Sequence, residues 1–320
     1  MSSLTRTLKK TVPYVFYAFV AVFLVYFLLT ADYSKLSEIE FNWWYFALAT
    51  IAGLAYRYWG SFTWQQILRR LGAKAAFSRE LIYVYAKSWL GRYIPGTAPW
   101  ILGKIYFASK LGISKNKLAV SSLLEGMLQI IITLLISFII LLIDSRADQF
   151  IDSNLRVAIV ISIVIGCVAL VPMFFNKVIA AIYKIIKKKV FAEEHYVTSG
   201  AVINGTLLYI VGAIIGGISF LLIAKSIYAP LGWSDALYIL GVSNLANAIS
   251  MLAIFAPSGI GVREGIQIAL LSIVMPPEIA AVIALTTRLW GVLIDFLFFG
   301  LTKFMNRGAT TTARELSEKS

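Results

Sequence analysis

The sequence predicts an all-α, polytopic membrane protein with about six transmembrane helices plus two re-entrant helical hairpins in an inverted-topology repeat. Three observations support this class. The chain of 320 residues is 59% hydrophobic and 14% charged, whereas a soluble domain is nearer half apolar and a quarter charged. Several apolar runs reach the ~18 residues that a bilayer core requires. Two other apolar regions are interrupted by proline and glycine.

The candidate spans follow one another along the chain at 12–30, 43–66, 118–143, 155–175, 200–226 and 279–303. The first follows basic residues and lacks a small-residue cleavage site, so we expect a retained signal anchor. Two further apolar regions are broken, one at about 80–111 by YIPGTAPW and the other at about 235–276 by FAPSGIGVREG. Proline removes a backbone donor and glycine permits turns, so each region is predicted to hold two half-helices.

Lysine and arginine follow the positive-inside rule. They cluster before the first and third spans and after the second, fourth and last, while the other span ends are acidic or neutral. This pattern places both termini in the cytoplasm. This placement requires each interrupted region to begin and end on the same side of the membrane. Their freed backbone groups must then be buried in protein or line a wet cavity.

The two halves of the chain share one order of elements, which is span, span, hairpin, span. Repeat one covers 12–143 and repeat two covers 155–303, with the hairpins entering from opposite sides. Inverted repeats with broken helices are typical of transporters that bind their substrate near the bilayer midplane. We therefore predict a single membrane domain, 1–320, ending in a cytoplasmic tail, 304–320.

Charged residues within or beside the apolar segments mark the candidate site, since each costs about 2.5–3.5 kcal/mol at the bilayer centre. The cations are Arg57, Lys87, Arg92, Lys104, Arg263 and Arg288, and the acids are Glu125, Glu264 and Asp295. Arg57 is expected to extend to the interface, while Lys87 and Lys104 fit either the interface or a cavity. A structural alternative pairs Arg288 with Glu125 or Asp295, and Glu264 also fits a helix cap.

An anion is the expected ligand of such a centre. Half-helix N-termini expose amide donors and positive dipole ends, and arginine binds phosphate through two hydrogen bonds. In a membrane the natural anion is a lipid phosphate.

Other chemistries have little support in the sequence. The only cysteine is Cys167 and the only histidine is His195, so neither a clustered metal site nor a Ser-His-Asp triad is expected. No nucleotide-binding loop occurs, and we predict no catalytic residues and no cofactor. The formal charge of +13 is attributed to membrane orientation, not to nucleic acid.

Two stretches resemble the flippase-like transmembrane region of the lysylphosphatidylglycerol synthase family. They are YIPGTAPWILGKIYFASKLGISKNKLAVSSLLEG and PSGIGVREGIQIALLSIVMPPEIAAVIALTTRLWG. The family motifs fall on Pro95, Gly96, Gly103, Lys104, Pro257, Gly259, Gly261, Arg263, Glu264 and Arg288. The resemblance implies lipid translocation. Some members carry a cytosolic aminoacyl-transferring domain, which we do not expect here, and stand-alone relatives are associated with glycolipids or isoprenoid-linked sugars.

We therefore predict a flippase of the plasma membrane, not an enzyme, that moves an aminoacyl-phospholipid, a glycolipid or an isoprenoid-linked headgroup. Alternatives are a membrane enzyme acting on a lipid phosphate, an accessory subunit of a glycolipid pathway or an ion channel. A glycosyltransferase or lipid synthase is a candidate partner, and a homo-oligomer is left open. The predicted substrate-binding residues are Arg92, Pro95, Gly96, Lys104, Glu125, Pro257, Ser258, Gly259, Gly261, Arg263, Glu264, Arg288 and Asp295.

Overall fold

A computed structural model gives the positions of most of the chain. The structure describes residues 39–73, 78–93, 99–146, 151–187, 196–253 and 259–317. Every regular element in these ranges is a helix, which confirms the all-α class. The first predicted span, 12–30, lies outside the described residues.

The first half of the described chain contains α1 (Trp43–Arg70), α2 (Arg79–Trp89), α3 (Pro99–Ser109) and α4 (Lys115–Ile143). A 3₁₀ turn, Leu90–Tyr93, extends α2. Asn42 caps α1, because its side chain accepts hydrogen bonds from two backbone N–H groups at 3.0 and 3.2 Å. Ser78 caps α2 in the same way at 3.2 Å. Such caps satisfy amide donors that the first helical turn leaves unpaired.

The second half contains α5 (Ser153–Ala169), α6 (Pro172–Lys187), α7 (Ser199–Ile227), α8 (Ala236–Leu252), α9 (Val262–Leu271) and α10 (Pro277–Ser317). Neither predicted break interrupts a described helix, since the turn after α2 ends at Tyr93 and α3 begins at Pro99, while α8 ends at Leu252 and α9 begins at Val262. Residues 94–98 and 254–258 of the two breaks lie outside the described residues. Within each of these pairs the two helices pack against each other.

The predicted span at 155–175 is not one continuous helix. The chain bends by 80° between α5 and α6. Pro172 explains the position of the bend, because proline has no N–H to continue a helix but fits its first turn. On α6, Phe175 and Ile179 are buried against the protein, whereas Lys177 and Lys184 are exposed.

Four helical segments are long and apolar enough to cross a membrane, or five if α5 and α6 form one bent span. The four are Lys115–Ile143, Ser199–Ile227, Trp233–Leu252 and Pro277–Asn306. The predicted span at 43–66 is the 28-residue α1, which has the length but is not among the four. It carries Arg57 and two glutamines among its apolar residues.

The helix neighbours follow a reciprocal pattern. Helix α4, at the end of the first half, packs on α3 of its own half and on α8 of the other. Helix α10, at the end of the second half, packs on α9 of its own half and on α2 of the other. Each long helix therefore contacts both interrupted regions, and the space between those regions lies at the centre of the fold.

An ion-pair cluster joins the end of α4 to the start of α8. Arg146 donates to Asp144 at 2.7 and 2.8 Å and to Asp235 at 2.5 Å. The hydrogen bonds from Arg146 lower the pKa of the Asp144 carboxyl below its ordinary value.

Candidate functional site

A cavity of about 450 Å³ opens between the two interrupted regions. Its walls also include residues of α1, α4, α7 and α10. The volume falls in the range of roughly 300–1,000 Å³ that is usual for small-molecule sites. Arg92 lies just before the first break and Gly259 just after the second, and both line the cavity.

Three arginines from three different parts of the chain line this cavity. Arg57 comes from α1, Arg92 from the 3₁₀ turn after α2, and Arg263 from the first turn of α9. Among the described residues, no carboxylate lines the cavity. Arg263 also lies within electrostatic range of three other arginines, Arg57, Arg92 and Arg288, and of one carboxylate, that of Glu264. The wall is therefore strongly cationic.

Asp295 on α10 holds two of these arginines in place. Its carboxylate is 1% exposed and is bound by the Arg57 guanidinium. The Trp89 indole N–H donates to Oδ1 at 3.2 Å, and the Tyr93 hydroxyl donates to Oδ2 at 2.5 Å. Arg92 Nη1 lies 3.9 Å from Oδ2. Three donors bind this carboxylate and Arg92 lies within ion-pair distance, so Asp295 orients the wall without being free to bind another cation.

Lys104 on α3 and Glu125 on α4 form a closed ion pair behind the cavity. The two side chains are 0% and 1% exposed and bind each other directly. The Tyr85 hydroxyl donates to Glu125 Oε1 at 3.1 Å. The Lys104 ammonium also lies 4.2 Å from the ring centre of Tyr85 and 4.7 Å from that of Trp100. A buried charge of this kind requires such partners, because removal from water is costly.

Glu264 on α9 pairs with Arg288 on α10, with Oε1 and Nη1 3.6 Å apart. The other oxygen of Glu264 accepts a hydrogen bond from the Gly261 N–H at 2.7 Å, which caps α9. Gly259 and Gly261 have positive φ values of 67° and 83°, which glycine adopts readily. These glycines turn the backbone so that α9 begins at the cavity wall.

The two ion pairs occupy matching places in the two halves. Lys104 and Glu125 join the second helix of the first interrupted region to the long helix that follows it. Glu264 and Arg288 do the same in the second half, with the signs of the two charges exchanged. The two halves are therefore similar in the order of their helices and also in the positions of their buried ion pairs.

Positive charge is in excess at the centre of the fold. Five cations face three carboxylates, namely Arg57, Arg92, Lys104, Arg263 and Arg288 against Glu125, Glu264 and Asp295. Within the described ranges, Arg263 has no carboxylate oxygen within 4.0 Å. An anion in the cavity would therefore meet uncompensated positive charge.

The predicted site residues that the structure describes separate into two groups. Arg92, Gly259 and Arg263 line the cavity, whereas six others form the supporting ion pairs and the cap, namely Lys104, Glu125, Gly261, Glu264, Arg288 and Asp295. The remaining four lie outside the described residues, namely Pro95, Gly96, Pro257 and Ser258.

Two interpretations of individual charges differ from the structure, one an expectation for Arg57 and the other an alternative for Arg288. Arg57 does not extend to the interface, since its side chain is 12% exposed and binds Asp295. Arg288 pairs with Glu264, not with Glu125 or Asp295. Lys87, for which two environments were open, is exposed and lies 4.1 Å from the ring centre of Phe107, away from the cavity lining.

Sequence reasoning also missed part of the lining. Arg57 lies near the middle of α1, a depth that could have indicated an interior role. The aromatic residues Trp89, Trp100 and Trp290 and the amide of Asn247 complete the wall. No local signal separates these tryptophans from membrane-interface residues, because only the fold brings them together.

This arrangement is suited to binding an anionic oxygen group. Arginines present rigid, paired donors that match phosphate oxygens, and a low-dielectric wall strengthens the attraction. No group of three His, Cys, Asp or Glu side chains suited to a metal ion occurs in the part of the chain that the structure describes.

The fold and the cavity define a multi-pass helical membrane protein with a cationic interior site. The family model for the lysylphosphatidylglycerol synthase TM region matches residues 14–298. Because this match spans most of the chain, the protein belongs to that family, and the resemblance seen in the two motifs is confirmed. Neither the curated proteins nor the solved structures provide a match. The family supports a lipid-related function in the membrane.

Proposed function

We propose that the protein is a flippase, which moves a phosphate-bearing lipid between the leaflets of the plasma membrane. The headgroup occupies the central cavity while the acyl or isoprenoid chains remain in the bilayer. The proposal unites the lipid-related family with a cavity of a size that fits a headgroup.

One observation carries this proposal, which is the group of three arginines on a wall where no described carboxylate is found. Asp295 holds Arg57 and Arg92, so their guanidinium groups are positioned before the lipid arrives. Arg263 adds a third cation from the opposite interrupted region. Three cations on one wall offset the cost of taking a lipid phosphate out of water.

The buried carboxylates favour transport over chemistry. A general base must be able to accept a proton from its substrate. Glu125 is bound by Lys104, and Asp295 accepts hydrogen bonds from three groups and lies within ion-pair distance of Arg92. Both support the wall instead of facing the cavity, so we propose that the headgroup crosses unchanged.

Alternating access follows from the reciprocal packing of α4 and α10. If the interrupted regions are re-entrant hairpins of an inverted repeat, rocking of one half against the other exposes the cavity to each side in turn. The matching ion pairs would keep each hairpin attached to its own long helix during this motion.

The orientation that we propose places both termini in the cytoplasm. Lys177 and Lys184 lie exposed on α6, beyond the 80° bend. Basic residues at helix ends are enriched on the cytoplasmic side and are attracted to anionic lipid there.

Reconstitution into liposomes tests the function. The probe is phosphatidylglycerol with a fluorophore on its acyl chain, and a membrane-impermeant reductant quenches probe in the outer leaflet. We expect the protein to make inner-leaflet probe accessible, with the recovered lipid chemically unchanged. Arg263→Ala should abolish this movement, whereas the exposed Lys87→Ala should not.

Three outcomes would overturn the proposal. They are a chemically altered lipid, ion conductance without lipid movement, or wild-type rates in Arg263→Ala protein that inserts and purifies normally. The altered lipid would indicate an enzyme, and the conductance would indicate a channel.

A further inference from the structure

The side chains that line the cavity indicate what kind of group is attached to the lipid phosphate. We propose that this part is neutral and rich in hydroxyl groups, as in a sugar or another polyol, and that it is not a cationic aminoacyl group. The inference rests on the proposed function and names the class of lipid that the site accepts.

The first argument is the supply of neutral hydrogen-bonding groups. Asn247, which lines the cavity, makes no side-chain hydrogen bond within the described residues. The Ser122 hydroxyl is fully buried at the wall and has no partner there. To the residues that the structure describes, the Gln129 amide donates only a long bond of 3.5 Å, which the Tyr56 hydroxyl accepts. Amides and hydroxyls both donate and accept, so these groups match the hydroxyls of a polyol.

The second argument is the aromatic lining. The indole N–H of Trp89 is engaged by Asp295 at 3.2 Å, and that of Trp290 by the Thr50 hydroxyl at 3.2 Å. The Trp89 ring is stacked on Tyr85, with ring centres 5.9 Å apart, and has the Arg92 guanidinium 4.8 Å from its centre. The apolar ring surface of the wall therefore comes mainly from Trp290 and from the part of Trp100 that Lys104 does not cover. A site that combines ring surface with a few placed polar groups fits a molecule that has C–H faces and hydroxyl edges, as a sugar ring has.

The third argument is the lack of a counter-ion for an amine. Asp295 is bound by Arg57 and Glu125 by Lys104. Glu264 does not line the cavity; its Oε2 caps α9, and its Oε1 has no hydrogen bond but lies 3.6 Å from Arg288 Nη1. A lysyl ammonium would therefore sit beside three arginines, and like-charge contact at a binding site costs several kcal/mol.

Three fluorescent lipids separate the possibilities in the liposome assay. Phosphatidylinositol carries phosphate and a neutral polyol, phosphatidic acid carries phosphate alone, and lysylphosphatidylglycerol carries phosphate with a cationic group. We expect phosphatidylinositol to move fastest. Lysylphosphatidylglycerol should move at least about tenfold more slowly, since 1.4 kcal/mol corresponds to a factor of ten.

Asn247→Asp provides the matched specificity variant, because it adds one carboxylate with almost no change of shape. We expect the ratio of lysylphosphatidylglycerol to phosphatidylinositol transport to rise about tenfold or more in this variant. Asn247→Ala should lower phosphatidylinositol transport toward the phosphatidic acid rate without raising the rate of the lysyl lipid.

Binding is measured separately, as the thermal stabilisation that each lipid gives to the purified protein in detergent. Equal or faster movement of the lysyl lipid would overturn the inference and leave the flippase function standing. If no lipid moves, the proposed function fails. Stronger stabilisation by phosphatidylinositol than by the lysyl lipid would then still support the inference, and the reverse order would overturn it.

Discussion

At the scale of single residues, Asp295 determines how the arginine wall is built. It is one carboxylate on α10, yet it orients Arg57 from α1 and Arg92 from the 3₁₀ turn. Removing one partner of a buried ion pair lowers stability more than replacing both partners by apolar residues, because the other charge is left buried without compensation.

We therefore expect Asp295→Asn to destabilise the protein by about 3–5 kcal/mol, the usual cost of leaving a buried charge unpaired. Unfolding of the detergent-solubilised protein, followed by circular dichroism, measures the change. Glu40→Gln is the control, since Glu40 is exposed and should change stability by no more than about 0.5 kcal/mol. Equal effects of the two substitutions would show that Asp295 does not organise the wall.

The Asp144 carboxyl predicts a pH dependence. Its pKa is lowered in the folded protein by hydrogen bonds from Arg146, so it stabilises the fold above the unfolded pKa of about 3.9. This contribution is lost as the pH falls through the folded pKa. Asp144→Asn should be less stable at neutral pH and should lose less stability on acidification. Identical melting temperatures against pH for both proteins would contradict this.

At the scale of the elements, the start of α9 depends on backbone conformation. Gly259 has φ +67°, and a Cβ there would meet the side chain of Ser250. Gly259→Ala should lower stability by at least about 1–2 kcal/mol, the cost of a left-handed conformation for an L-residue. It should also weaken phosphate-lipid binding, because Arg263 follows on the same helix.

Gly265→Ala is the matched control for this substitution. Gly265 lies within α9 and has no heavy atom within 4 Å of the added Cβ. Alanine is favoured over glycine inside a helix by roughly 0.5–1 kcal/mol, so this variant should be at least as stable as the wild type. A destabilised Gly265→Ala together with a neutral Gly259→Ala would refute the account of the turn.

The sequence predicts most helices because their apolar runs and caps are local signals. The run at 118–143 matches α4, and Pro95 and Pro257 indicate the two breaks between helices. The bend at Pro172 was missed, since the apolar run continues through it and hides the lost backbone donor. Periodicity reports burial, but it does not report the direction that the chain takes after a proline.

At the scale of the whole molecule, the orientation can be tested through α4, whose 29 residues span about 44 Å at 1.5 Å per residue. Ser114 and Ser145 are exposed at its opposite ends. In a Cys167→Ser background, we expect Ser114→Cys to be labelled by an impermeant thiol reagent only after the membrane is opened. Ser145→Cys should be labelled on intact cells. The reverse pattern would refute cytoplasmic termini.

The candidate site was partly predictable, because charge inside an apolar segment is visible in sequence. Arg92 and Arg263 were predicted in this way, and both line the cavity. The pairing of charges was not predictable, since Glu264 and Arg288 meet only after α9 folds back along α10. Arg57 shows the same limit, because its carboxylate partner lies 238 positions away.

Among the described residues, every basic side chain that lines the cavity is an arginine, and this has a consequence for energy coupling. A guanidinium keeps its proton at any acidity that a living cell tolerates. The affinity of these arginines for a lipid phosphate would therefore be the same on the acidic and the alkaline side of an energised bilayer. A proton gradient would then not change how strongly the lipid phosphate binds. The direction of transport would have to come from another process, such as consumption of the delivered lipid.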